Sequence, residues 1–95
     1  MRVISRTAIL DFSKKHADAA VPLMNWFRIT KHAEWENLDD VRRDFNHADA
    51  VGRRTVFNIK GNKYRLIARV NYRTGRVFIL HIFTHEDYLK GTWKT

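Results

Sequence analysis

The 95 residues include no cysteine, which removes disulfide frameworks, thiolate metal sites and cysteine nucleophiles from consideration. Proline occurs once, at Pro22, and glycine four times, so neither a Pro/Gly-rich linker nor a low-complexity tract divides the chain. Residues 1–95 therefore read as one domain with a modest core. No stretch approaches the roughly 20 apolar residues that cross a bilayer, and residues 1–4 lead into mixed sequence rather than a signal peptide. No membrane partner and a soluble, reducing cytoplasmic setting are expected. Phosphate-binding and dinucleotide-binding glycine patterns are missing. Acidic side chains are missing from the whole stretch between Ala50 and His85.

That last gap organises what is present. Hydrophobic residues make up 44% and aromatic residues 13% of the chain, enough for a packed fold. The first 49 residues hold 8 Lys/Arg and 8 Asp/Glu, whereas the remainder holds 10 Lys/Arg and only Glu86 and Asp87, so the formal net charge of +8 lies entirely in the second half. A basic half interleaved with aromatics is the footprint of a polyanion-binding surface, with nucleic acid the first candidate and an acidic protein the second.

Within that half, Arg53 through Val70 read as two strands joined at Gly61-Asn62. Alternation sorts them into an apolar face (Thr55, Phe57, Ile59, Tyr64, Leu66, Ala68, Val70) and a cationic one (Asn58, Lys60, Lys63, Arg65, Arg69). Pairing Lys60 with Lys63 sets Asn58 opposite Arg65 and Phe57 opposite Leu66. A second turn at residues 73–76 leads to an almost continuously apolar third strand, residues 77–83, expected to be covered on both faces, with His81 as an interior histidine.

The first half reads as a short strand at residues 1–4, then a helix capped by Ser5 and running to about Lys15. A second helix follows, capped by Asp18, with Pro22 in its first turn. Asn37 starts a short helix over residues 38–45, and residues 46–52 read as a polar loop. Thr84 caps a final helical turn. The fold class is α+β, a sheet with helices on one side and the other side open.

On the open side a metal-free reaction is chemically plausible. His85 and Tyr88 share one side of a helical turn, and an imidazole exchanges protons near neutral pH. Lys60, Arg65 and Lys63 can hold a phosphate and the charge that develops on it. Such a set suits RNA cleavage, with a base activating the ribose 2′-OH and an acid protonating the leaving 5′-oxygen. Arg69, Asn58, Lys90, Arg53 and Arg54 are the further candidates for RNA and phosphate contact. The five histidines show no ligand spacing, and no cofactor is expected. Structural duties for the same side chains stay open: Arg65 as the partner of an acid, Tyr88 against the core.

The run Val56-Phe57-Asn58-Ile59-Lys60-Gly61-Asn62-Lys63-Tyr64-Arg65-Leu66-Ile67-Ala68, followed by Ile82-Phe83-Thr84-His85-Glu86-Asp87-Tyr88, resembles the HigB toxins of type II toxin–antitoxin systems, relatives of the RelE toxins. The resemblance spans nearly the whole chain. It implies a RelE-like fold, a small mainly antiparallel sheet with two N-terminal helices packed on one face. It also implies an mRNA interferase acting on messages at the ribosome. The implied partner is a HigA-type antitoxin with a helix-turn-helix domain, through which alone operator DNA would be bound. Arg65 matches the strand arginine of these toxins, Lys60 and Lys63 lie where strand lysines occur, and His85 and Tyr88 match the C-terminal pair. On that basis His85, Arg65, Lys60 and Tyr88 are the expected catalytic residues. Two other readings compete: a toxin of this fold aimed at DNA gyrase, and a non-catalytic RNA-binding module.

Overall fold

A computed structural model describes residues 1–91 and Trp93. The chain runs β1 (Arg2–Ile4), α1 (Thr7–Lys15), a 3₁₀ turn (Ala17–Ala19), α2 (Ala20–His32), α3 (Leu38–Asp44), β2 (Asp49–Val51), β3 (Arg54–Ile59), β4 (Tyr64–Asn71), β5 (Arg76–Thr84) and α4 (His85–Leu89). Five strands form one sheet in the order β1-β5-β4-β3-β2. All neighbours are antiparallel except β1, which lies parallel to the start of β5. This is the expected α+β, RelE-like arrangement, with α1 and α2 packed on one face.

The hairpin register is the one that alternation predicts, Phe57 opposite Leu66 and Asn58 opposite Arg65. Phe57, Ile59, Tyr64, Leu66 and Ala68 turn inward and join Ile9, Leu23, Trp26, Trp35, Val41, Val77 and Ile79 in the main core. Trp26 meets Phe57 edge to face at 5.4 Å between ring centroids, and burying each such side chain is worth about 1.5–3 kcal/mol. Asn37 caps α3 by accepting a bond from the Asp40 N–H, and Thr84 caps α4 through the Asp87 N–H, both as expected.

Four sequence expectations are corrected. Ser5 does not cap α1 with its side chain; it adopts φ 75° and the helix begins at Thr7 after Arg6. Asp18 caps nothing either, because its carboxylate is taken by the β3–β4 turn. Residues 46–52 are not all loop: residues 49–51 form β2 along the free edge of β3, a three-residue strand too short to show a period.

The fourth correction concerns β5. Ile67 pairs with His81 but Ala68 pairs with Ile79, leaving Leu80 as an extra residue in a β-bulge. The extra residue resets the alternation. Val77 and Ile79 face the helices before it and Ile82 does so after it, which turns His81 to the open side, where it is exposed and stacks on Phe83 at 5.1 Å. The interior histidine and the doubly covered strand both follow from counting without the bulge.

Candidate active site

The face opposite α1 and α2 carries Arg54, Val56 and Asn58 from β3, Arg65, Ile67 and Arg69 from β4, and His81 and Phe83 from β5. Its middle is filled. Trp93 is buried against Val56 and Ile67, with Val51, Phe83 and Tyr88 around them, as a second small core. The indole N–H of Trp93 donates to the Tyr88 carbonyl at 3.1 Å, and the two rings stack at 5.2 Å. Trp93 thus divides the open face into two ends.

One end is built from the β3–β4 turn and the start of α4. Arg65 is only 9% exposed. Its guanidinium donates to the Tyr64 carbonyl at 3.2 Å and to Asn62 Oδ1 at 3.1 Å, and it lies 5.3 Å from the centroid of the Tyr88 ring, within cation–π reach. No acid pairs with it among the described residues. The His85 backbone N–H donates to the Lys63 carbonyl at 3.0 Å, which pins the first residue of α4 to the turn, with the imidazole exposed. Arg65, Tyr88, His85 and the backbone of Lys63 are therefore brought together, from stretches some twenty residues apart in the chain.

The side chains of Lys60 and Lys63 go elsewhere. Lys60 adopts φ 53°, followed by Gly61 at 62°, and both ammonium groups converge on Asp18, Lys60 at 3.1 Å and Lys63 on the same oxygen. The Tyr64 hydroxyl donates to the other oxygen of Asp18. These bonds hold the Asp18 carboxyl far below the usual carboxylate range, the bond from Lys63 being the largest cause. The same contact raises Lys63 above the ordinary lysine value and Tyr64 above the ordinary phenol value. His16 and Phe12 border this group, with the His16 ring 5.4 Å from that of Tyr64. The hairpin tip is thereby fastened to the helical layer, and its two lysines share one counter-charge.

Lys90 pairs with Asp87 at 3.3 Å on the surface, a contact worth at most about 1 kcal/mol. Asn58 is half-buried beside Arg65. At the far end Arg53, Arg54 and Arg69 line a separate cavity with Leu80. Among the described residues no three His, Asp or Glu side chains gather as a metal cradle, and no helix is long and apolar enough to cross a membrane.

Sequence reasoning missed Asp18, 42 and 45 positions from the lysines it binds. The available signal was Tyr64, whose inward position places the turn beside the helical layer. It also missed Trp93 as the filling of the open face and Asn62 as the acceptor for Arg65.

Comparison with known proteins gives a consistent picture. A family model described as "HigB_toxin, RelE-like toxic component of a toxin-antitoxin system" matches residues 19–91. Among curated proteins, the "mRNA interferase HigB" of Escherichia coli O6:H1 is 28% identical over 95 residues, covering 97% of this chain and 92% of that protein. The "mRNA interferase toxin HigB" of Escherichia coli K12 is 26% identical over 91 residues, covering 93% and 88%. The "mRNA interferase HigB" of Shigella flexneri matches to the same extent.

Proposed function

The chain belongs to the HigB family of RelE-like toxins, and from that premise we propose that it is the toxin of a toxin–antitoxin system and an mRNA interferase, an endoribonuclease that arrests translation by cutting messages. The observation that carries this reading is the near end-to-end match to relatives named mRNA interferases. The surface opposite the helices supports it, because its cations are drawn from a stretch of chain free of acids.

Residues 1–95 act as one toxin domain, with His85, Arg65 and Tyr88 as the catalytic group; Lys60, expected among them, is held on the helical side by Asp18. The ribose 2′-oxygen attacks the adjacent phosphorus, giving up its proton to a base as the new P–O bond forms. The bond to the 5′-oxygen breaks and that oxygen takes a proton from an acid, leaving a 2′,3′-cyclic phosphate and a 5′-hydroxyl. His85 is the proton-transfer group, at the exposed start of α4. Arg65 stabilises charge on the phosphate: two of its donors serve Asn62 and Tyr64, and a guanidinium has five. Tyr88 stacks on Trp93 and covers Arg65, so its ring sets the site's shape while its hydroxyl is available for chemistry. Lys60 and Lys63 hold the turn through Asp18 rather than facing the phosphate, while Asn58 and Lys90 flank the group.

The partner that neutralises it is an antitoxin of HigA type with a helix-turn-helix domain, through which the pair would reach operator DNA. The setting is the cytoplasm and the substrate a message on the ribosome. Primer extension on cellular mRNA after brief expression tests the reading. New 5′ ends in reading frame are expected for the wild type and absent for His85→Ala. Growth arrest with every message intact would overturn the nuclease and favour a gyrase-directed toxin.

A further inference from the structure

We infer that the pocket formed by Arg53, Arg54, Arg69 and Leu80 is a second anion site, and that it grips a phosphodiester of the RNA strand away from the scissile one. The inference rests on the RNA-cleaving reading above and extends it to a part of the surface that lies across Trp93 from His85 and Tyr88.

The pocket encloses about 380 Å³. Arg54 follows directly from the Gly52-Arg53 turn, and Arg69 lies opposite it, one step beyond the Thr55–Ala68 pair. Like charges facing each other across two strands destabilise a sheet. No acid offsets them here, since none of the three arginine side chains has a hydrogen bond or ion pair among the described residues. Arg54 is half-buried, and its Nε is enclosed without an acceptor. A buried donor left unpaired and three guanidinium groups without a counter-ion are unfavourable alone and favourable with an anion between them.

The chemistry selects the ligand class. Planar guanidinium forks bind phosphate oxygens in a bidentate fashion, and Leu80, left exposed by the β5 bulge, supplies an apolar wall for a sugar or base. Position then selects the phosphate. Arg69 lies four residues from Arg65 along β4, roughly 13 Å at strand rise. A stacked single strand covers that distance in about four nucleotides, and an extended one in fewer. The two ends of the face would therefore hold one strand at two points, with the Tyr88–Trp93 stack between them.

The test is a linkage scan. RNA oligonucleotides carrying a 2′-O-methyl group at the scissile nucleotide are made with one methylphosphonate at a time, and binding to the full chain is followed by fluorescence anisotropy, on free RNA and on RNA seated in ribosomes. Wild type should lose about tenfold in affinity at one linkage two to four nucleotides from the cut, in addition to any loss at the scissile phosphate. In Arg69→Gln, an exposed position, the loss at that distant linkage should disappear while the scissile one stays. The salt slope of binding should also fall by about 1. Arg54→Lys keeps the charge without the fork and should behave in the same way at that linkage, weakened in proportion. A scan identical in wild type and Arg69→Gln overturns the site. So does an Arg69→Gln variant that keeps the full scan but loses affinity for its antitoxin, which would make the pocket a carboxylate clamp for a protein. Failure of the wild type to cut any message refutes the nuclease and is read separately, by primer extension.

Discussion

The backbone N–H of His85 donates to the carbonyl of Lys63 at 3.0 Å, so the residue that opens α4 is positioned by the turn between β3 and β4. That turn is in turn fastened to the helical layer, because Lys60, Lys63 and Tyr64 all reach Asp18. One path from Asp18 to His85 runs through the hairpin tip, and a second runs through Tyr64, which pairs with Thr84. A change on the opposite side of the sheet is therefore expected to reach the candidate active site without touching it.

Asp18→Asn tests these paths. It keeps the shape and one oxygen acceptor but removes the charge that gathers both lysines. We expect a lower melting temperature, faster amide exchange over residues 60–63, and reduced cleavage by a protein that still folds. Unchanged exchange at the tip would mean that the turn holds itself.

The same carboxylate gives a pH dependence. Its folded-state pKa is depressed by the bond from Lys63, the bond from Tyr64 and the bond from Lys60. A depressed carboxyl contributes stability that is fully present above its unfolded value, near 3.9, and is lost as pH falls through the folded one. Wild type should accordingly lose stability below about pH 4 more steeply than Asp18→Asn, and the two curves should run parallel above that range. Thermal melts between pH 2 and 7 check it, and curves parallel throughout would remove Asp18 from the acid response.

At Lys60 the backbone itself is informative. Its φ of 53° lies in the left-handed region, which costs a residue with a Cβ about 1–2 kcal/mol relative to glycine. Both Lys60→Gly and Lys60→Ala delete the contact with Asp18, so their difference isolates the backbone. The glycine variant should be the more stable by about 1 kcal/mol in urea titrations. Equal stabilities would mean that the turn relaxes when the lysine is lost.

Most of the scaffold is legible in the sequence because it rests on local rules. Alternation gave the hairpin register from Thr55 to Ala68, cap residues marked α3 and α4, and the acid-free stretch marked the charged face. Three things depended on geometry that no local pattern carries. The Leu80 bulge shifts the period of β5 by one and sends His81 outward. The positive φ of Lys60 turns a lysine expected beside Arg65 toward the helices. Trp93, close to the end of the chain, folds back over Val56 and Ile67. The candidate catalytic residues follow from residue type and from resemblance, whereas the contact between Arg65 and Tyr88 exists only once the sheet and the final helix are assembled.

That contact separates structure from chemistry at Tyr88. The Tyr88 ring stacks on Trp93 at 5.2 Å and on its other contacts lies 5.3 Å from the Arg65 guanidinium carbon, so the aromatic body has a packing role that phenylalanine can fill. Tyr88→Phe should hold stability within about 0.5 kcal/mol. If the hydroxyl takes part in proton transfer, cleavage should still fall by roughly 10²–10⁴-fold. Arg65→Ala differs in kind. It leaves Asn62 Oδ1 and the Tyr64 carbonyl without this donor and empties a buried site, which should cost about 1–3 kcal/mol along with activity. Arg65→Lys restores charge without the fork and should recover stability better than cleavage. Melting curves and message cleavage measured on all three variants decide the matter: a Tyr88→Phe protein that cuts like wild type limits Tyr88 to holding Arg65 in place, and an Arg65→Lys protein that cuts like wild type leaves the fork with no part in catalysis.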